Sequence, residues 1–187
     1  MAVFEKVVAL QLTMQVSLRR TLVFLLDCML FDSIVYVIIY RSDKMIEITY
    51  DLSTLEDNCY LEVLPDKYKV KCWYTSSIFF TEENFGYIMP AFEKCYKKFD
   101  YYDANEIDIE TWKLIIWELE KMKQYLSDNP NPHSLKDVLG FLFLNSEEEF
   151  LKNYDTNLKQ LISMITEFQS WINEKSVSTK FITVLGM

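Results

Sequence analysis

The sequence predicts an α+β fold, with an antiparallel sheet of short strands packed against several helices in a single domain, residues 1–187. Three observations carry that reading. Residues 45–80 hold short apolar–polar alternations separated by turn residues, as expected of a sheet with two unlike faces. Residues 81–176 change to helical periodicity with recognisable caps, and residues 180–186 return to a strand-like run. Half of the 187 residues are apolar and 16% are aromatic, against three Gly and four Pro, which suits one core and leaves little material for linkers.

The N-terminal 44 residues stand apart in character. VALQLTMQVSL (8–18) alternates strictly, the pattern of a strand with one wet face. Residues 20–32 fit a short buried helix and IVYVIIY (34–40) a buried strand; one long helix is the competing reading. The block as a whole is an apolar extension, the first part of the core, or the product of an upstream start. Arg19 and Arg20 followed by TLVFLLDCMLFDSIVYVIIY raise a membrane anchor, but Asp27 and Asp32 interrupt the run. A central Asp costs about 2.5–3.5 kcal/mol on insertion scales, and no A-x-A-like cleavage site follows. The expectation is a soluble, cytoplasmic protein.

From Met45 onward, MIEITYDL, CYLEVL and YKVKCWYT read as three strands of a meander, with a turn at Leu64-Pro65-Asp66-Lys67. Thr81 begins a turn containing Glu82 and Glu83, and Pro90 opens a helical segment through Lys98. Asp108 is the N-cap of a helix reaching about Leu126, with Trp112, Ile115, Ile116, Leu119, Met122 and Leu126 on one face. NPNPH (129–133) breaks it. Ser134 with Asp137 and Ser146 with Glu149 resemble capping boxes, for a short helix and a longer one. The longer helix carries Phe150, Leu151, Tyr154, Leu158, Leu161, Ile162, Ile165 and Phe168 as its apolar face, and KFITVLGM is a final strand.

Charge and motifs exclude most chemistry. Residues 1–44 carry five basic and four acidic groups, and the remaining 143 carry 14 and 24, so the chain's net charge of −9 comes from an acidic body of −10. Such a body repels nucleic acid and attracts basic surfaces. Lys67, Lys69 and Lys71, with Tyr68, Trp73 and Tyr74, form too small a basic ribbon to reverse that, and read as a solvated strand face. Cys28, Cys59, Cys72 and Cys95 lack metal-ligand spacing and read as four buried, reduced thiols. The single His133 sits in a loop, and Gly86, Gly140 and Gly186 are too scattered to cradle a phosphate. No cofactor and no metal is expected.

FDYYDANEIDIETW (99–112) concentrates five acids and four aromatic rings. A calcium loop fails on spacing, whether begun at Asp100 or Asp103, because the ligand positions fall on Tyr102, Ala104 or Ile107 and no Gly follows at the sixth place. Paired carboxylates among Asp100, Asp103, Glu106, Asp108 and Glu110 permit an enzyme acting on a sugar or nucleotide, but Asp108 and Glu110 are explained by the helix start. What remains is a partner-binding surface built from Asp100, Tyr101, Tyr102, Asp103 and Glu106, combining electrostatic steering with aromatic anchors. Glu147, Glu148 and Glu149 make a second acidic site that a helix first turn also explains.

From Met45 onward the chain resembles immunity proteins of bacterial toxin systems, including those of contact-dependent growth inhibition. The likeness is carried by the early strand run, by FFTEENFGYIMPAFEKCYKKFDYYDANEID leading into a Trp-bearing helix, and by the ending FQSWINEKSVSTKFITVLGM. It covers about three quarters of the chain and leaves residues 1–44 outside. The resemblance implies a cytosolic, non-enzymatic inhibitor that binds a cognate toxin domain, often a basic nuclease, and blocks its active site or substrate groove. The rival readings are a carboxylate-dependent enzyme and a membrane-associated adaptor anchored through residues 1–40.

Overall fold

The computed structural model describes residues 45–55 and 59–186. The chain divides into residues 1–44 and 45–187, so the readings of a strand at 8–18, a helix at 20–32, a strand at 34–40 and a thiol at Cys28 lie outside the described residues. The second unit is an α+β fold, as its sequence predicts. Strands β1 (Tyr60–Leu64), β2 (Ile78–Thr81), β3 (Ala104–Asp108) and β4 (Phe181–Leu185) form one sheet in the order β2-β1-β4-β3. Every neighbouring pair is antiparallel.

The sheet has two unlike faces because side chains alternate along each strand. Leu61, Val63, Ile78, Phe80, Ile107, Ile182 and Val184 belong to the core, together with helices α1 (Glu82–Cys95), α2 (Ile109–Ser127), α3 (Ser146–Lys152) and α4 (Tyr154–Lys175). Phe80, Phe92, Trp112 and Phe168 bring sheet, α1, α2 and α4 together, with ring centroids 5.0 Å apart for Phe80–Phe168 and 5.5 Å for Phe92–Trp112. Pairs of this kind add about 0.5–1.5 kcal/mol beyond area burial. Trp112 is fully buried because its indole N–H finds a partner, donating to the Ile182 carbonyl at 3.0 Å. Asp108 caps α2 by accepting from Thr111 N at 3.0 Å, as the sequence predicts, and Thr81 caps α1 by accepting from Asn84 N at 3.2 Å.

Several element readings are corrected. Of the three runs assigned to a meander, only CYLEVL forms a strand. Residues 45–50 contribute one isolated bridge, Thr49 to Phe79, while Ile46 and Ile48 enter the core and the Asn84 amide donates to the Met45 and Glu47 carbonyls. YKVKCWYT is not a strand at all, because Val70 and Trp73 adopt left-handed backbone angles, φ 58° and 67°. Pro90 lies inside α1 instead of opening a helix. Asn131, not Ser134, caps the short 3-10 helix Pro132–Asp137. Ser146 is helical instead of capping, its hydroxyl accepting from Phe143 N at 3.3 Å, and the long predicted helix is split at Asn153 into α3 and α4. Cys59 and Cys72 are exposed and Cys95 is half-buried, since the strand expected to bury Cys72 does not form.

Residues 65–77 lie as a strap on the second face of the sheet. The Glu62 carboxylate, 2% exposed, accepts from Trp73 N at 2.6 Å, Tyr74 N at 2.9 Å and the Ser77 hydroxyl at 2.5 Å. Trp73 stacks on Phe79 with centroids 5.5 Å apart. A buried charge survives only when hydrogen-bonded or paired, and three donors meet that need here.

Candidate functional site

The acidic–aromatic stretch divides at Ala104 into two parts with different work. From Ala104 it is the edge strand β3 followed by α2, so Asp108 and Trp112 serve the scaffold, and Glu110 pairs with Lys113 at 2.7 Å. Before Ala104 it is a compact turn, 100–103. Phe99 anchors the approach, stacking on Phe85 at 6.1 Å and meeting Phe92 at 5.6 Å.

The turn is held from beneath by one amide. Asn105, 4% exposed, accepts from Asp100 N at 2.8 Å through Oδ1. Its Nδ2 donates to the Asp100 carbonyl at 2.7 Å, the Asp103 carbonyl at 3.0 Å and the Val184 carbonyl at 3.4 Å. The end of β4 closes the other side, where Gly186 N donates to the Asp103 carbonyl at 3.1 Å. A Cβ on Gly186 would lie 1.9 Å from the Tyr101 carbonyl oxygen, so only glycine permits this approach. The turn also braces itself. Asp100 Oδ1 accepts from Tyr102 N at 2.9 Å and Asp103 Oδ1 from Ala104 N at 2.7 Å, the local side-chain turns that Asp favours.

These bonds fix where the five predicted residues stand. Asp100 and Asp103 are exposed, and each keeps one carboxylate oxygen outside the bonds just described. Tyr102 is 77% exposed, its ring edge-on to Tyr101 with centroids 5.0 Å apart. Tyr101 turns inward: burial first, and then the Glu82 carboxylate, push its phenol up to about 12. Its hydroxyl is buried with no hydrogen-bond partner among the described residues. Glu106 stands apart from the turn, accepting from Tyr68 N at 3.2 Å with Lys67 Nζ at 3.6 Å. The structure therefore brings Asp100, Tyr102 and Asp103 together on the outside, puts Tyr101 beneath them and commits Glu106 to the strap.

Three supporting residues escaped the sequence reading. Asn105 sits inside an acidic run and resembles one more turn residue, while Gly186 looks like a chain-end glycine. Glu62 occupies the polar place of an alternating strand, which announces solvent, not a second covered face. Among the described residues no group of three or more His, Cys, Asp or Glu side chains is arranged to hold a metal ion. No described helix is long and apolar enough to cross a membrane, and the apolar stretch at 21–40 lies outside the described residues. Compared with family models, curated proteins and solved structures, the chain matches none.

Proposed function

We propose that the protein is a non-enzymatic immunity protein that binds a basic toxin domain in the cytosol and neutralises it, with the turn 100–103 as a principal contact. One observation carries this reading: Asp100, Tyr102 and Asp103 project together from a turn whose shape is set internally by Asn105 and Gly186. A contact surface ordered before the partner arrives loses little conformational entropy on binding. An exposed tyrosine flanked by carboxylates supplies an anchor ring together with charges that steer a basic partner. The acidic body adds long-range attraction of the same sign, and the resemblance of residues 45–187 to toxin-immunity proteins supplies the biological setting. Carboxylates of such an inhibitor would occupy the groove in which a nuclease holds phosphates.

The test is co-expression with basic toxin domains encoded beside this chain. Protection from growth arrest and a purified complex are the expected results, and failure of every such domain to form a complex at micromolar concentration refutes the reading. The variant D100N/D103N/Y102A keeps the turn-bracing oxygens at 100 and 103 while removing two charges and a ring. It is expected to lower affinity at least tenfold, and unchanged affinity places the interface elsewhere.

A further inference from the structure

The second face of the sheet is organised as a recognition surface, and its occupant is the chain's own strap. The sheet residues read mainly backbone. Glu62 accepts from two consecutive amides, Trp73 N and Tyr74 N. Glu106 accepts from Tyr68 N, and the Thr183 hydroxyl donates to the Asp66 carbonyl at 2.7 Å. Two rings do the rest: Phe79 stacks on Trp73, and Phe181 lies 4.2 Å from the Lys67 ammonium. In chemical terms the face holds a segment bearing a cation and, six residues later, an aromatic ring.

The strap itself is held under strain. Val70 and Trp73 are non-glycine residues in the left-handed region, and for a β-branched or bulky side chain that is a true outlier. At Trp73 the cause is visible: the left-handed residue turns successive amides toward one point, a nest that grips the Glu62 carboxylate. Among the described residues the strap joins no strand ladder. Its tip is open, with Val70 88% exposed and Lys69, Lys71 and Cys72 also exposed. Segments with few buried contacts and no ladder open at lower free energy than the core beneath them.

The geometry points to this second face as a binding site for a basic, aromatic-bearing peptide segment of a protein partner, with residues 65–77 as its releasable occupant. When the strap lifts, Glu62 and Glu106 exchange their donors for water, which a cation or new N–H groups from a partner can then replace. Phe79 and Phe181 lose a ring and an ammonium, respectively. A segment of another chain whose lysine or arginine meets Glu106 and Phe181, whose aromatic side chain stacks on Phe79 and whose main-chain amides meet Glu62 restores all four contacts. This site is separate from the turn 100–103 and does not depend on the immunity reading.

Amide hydrogen exchange on the full chain, followed by peptide binding, tests both halves. Trp73→Ala removes the stack but leaves Glu62, Glu106, Phe79 and Phe181 in place. In this variant the amides of residues 68, 73 and 74 are expected to exchange at least tenfold faster than in the wild type, while those of Val63 and Val184 keep their rates. A labelled synthetic peptide of the sequence 66–77, with its tryptophan, is then expected to bind Trp73→Ala and to lose at least tenfold in affinity when Glu62→Gln is added. Ser77→Ala, which deletes one bond to Glu62, serves as the milder opening variant if Trp73→Ala does not fold. The proposal is overturned by strap amides that stay slow, by strap and core amides that accelerate together in the variant used, or by an opened strap with no peptide binding.

Discussion

A single buried amide, Asn105, decides whether the outward residues of the turn act together. It makes one bond as acceptor and three as donor, and all four reach main-chain atoms. Removing it leaves Asp100 N without its acceptor, while the Asp100 and Asp103 carbonyls keep only Asp103 N and Gly186 N as donors, and an unsatisfied group beside the core costs about 1–3 kcal/mol. Asn105→Ala is therefore expected to lower stability by about 2 kcal/mol, seen as a fall in the urea midpoint at constant slope. Under the proposed function it should also weaken partner binding, although Asn105 itself is buried. Asp108 makes the complementary case at the surface. Its carboxylate lies below the usual range because it accepts from the Thr111 amide and then the Thr111 hydroxyl. The folded value is lower than the unfolded one, so this stabilisation is fully present above about pH 4 and is lost as pH falls through the folded value. Asp108→Ala is expected to cost about 1 kcal/mol at pH 7, and its deficit against the wild type should shrink in urea titrations at pH 3.

At the level of elements, α1 shows why the sequence misleads at a proline. Proline removes the amide that would bond the carbonyl four residues earlier, which here is Gly86. The segment after the 3-10 helix passes over that site: a Cβ on Gly140 would lie 2.4 Å from the Gly86 carbonyl oxygen and 3.2 Å from Pro90 Cδ. Gly140→Ala is thus expected to cost at least about 1–3 kcal/mol, the usual penalty for overpacking, read as a lowered Tm in thermal melts. The caps at Asp108 and the apolar stripe of α2 were legible because they depend on residues three or four apart. The same locality made CYLEVL and the final strand legible. The strap was not, because its amides go to Glu62 and Glu106, 11 to 38 residues away in sequence, and alternation in YKVKCWYT carries no sign of that. Likewise the turn's acids were visible as a group, but the division that sends Glu106 to the strap and Tyr101 inward depends on β3, an edge strand hidden in a run of acids.

Over the whole molecule, charge works at longer range than any of these contacts. Outside residues 1–44 the chain carries 24 acidic groups against 14 basic ones, and fields of that kind raise association rates that fall steeply with ionic strength. With a Debye length of about 10 Å at 0.1 M salt, raising salt from 0.05 to 0.5 M is expected to slow association with a basic partner by about tenfold or more, with dissociation much less affected. Stopped-flow measurement at several salt concentrations checks this, and D100N/D103N should flatten the slope. The turn adds an evolutionary consequence. Its shape is set by Asn105 and Gly186, which face inward, whereas under the proposed function its identity to a partner would lie in positions 100, 102 and 103. If that proposal holds, a lineage of such chains could change what it recognises by rewriting three outward letters, while the scaffold that displays them passes unaltered from one descendant to the next.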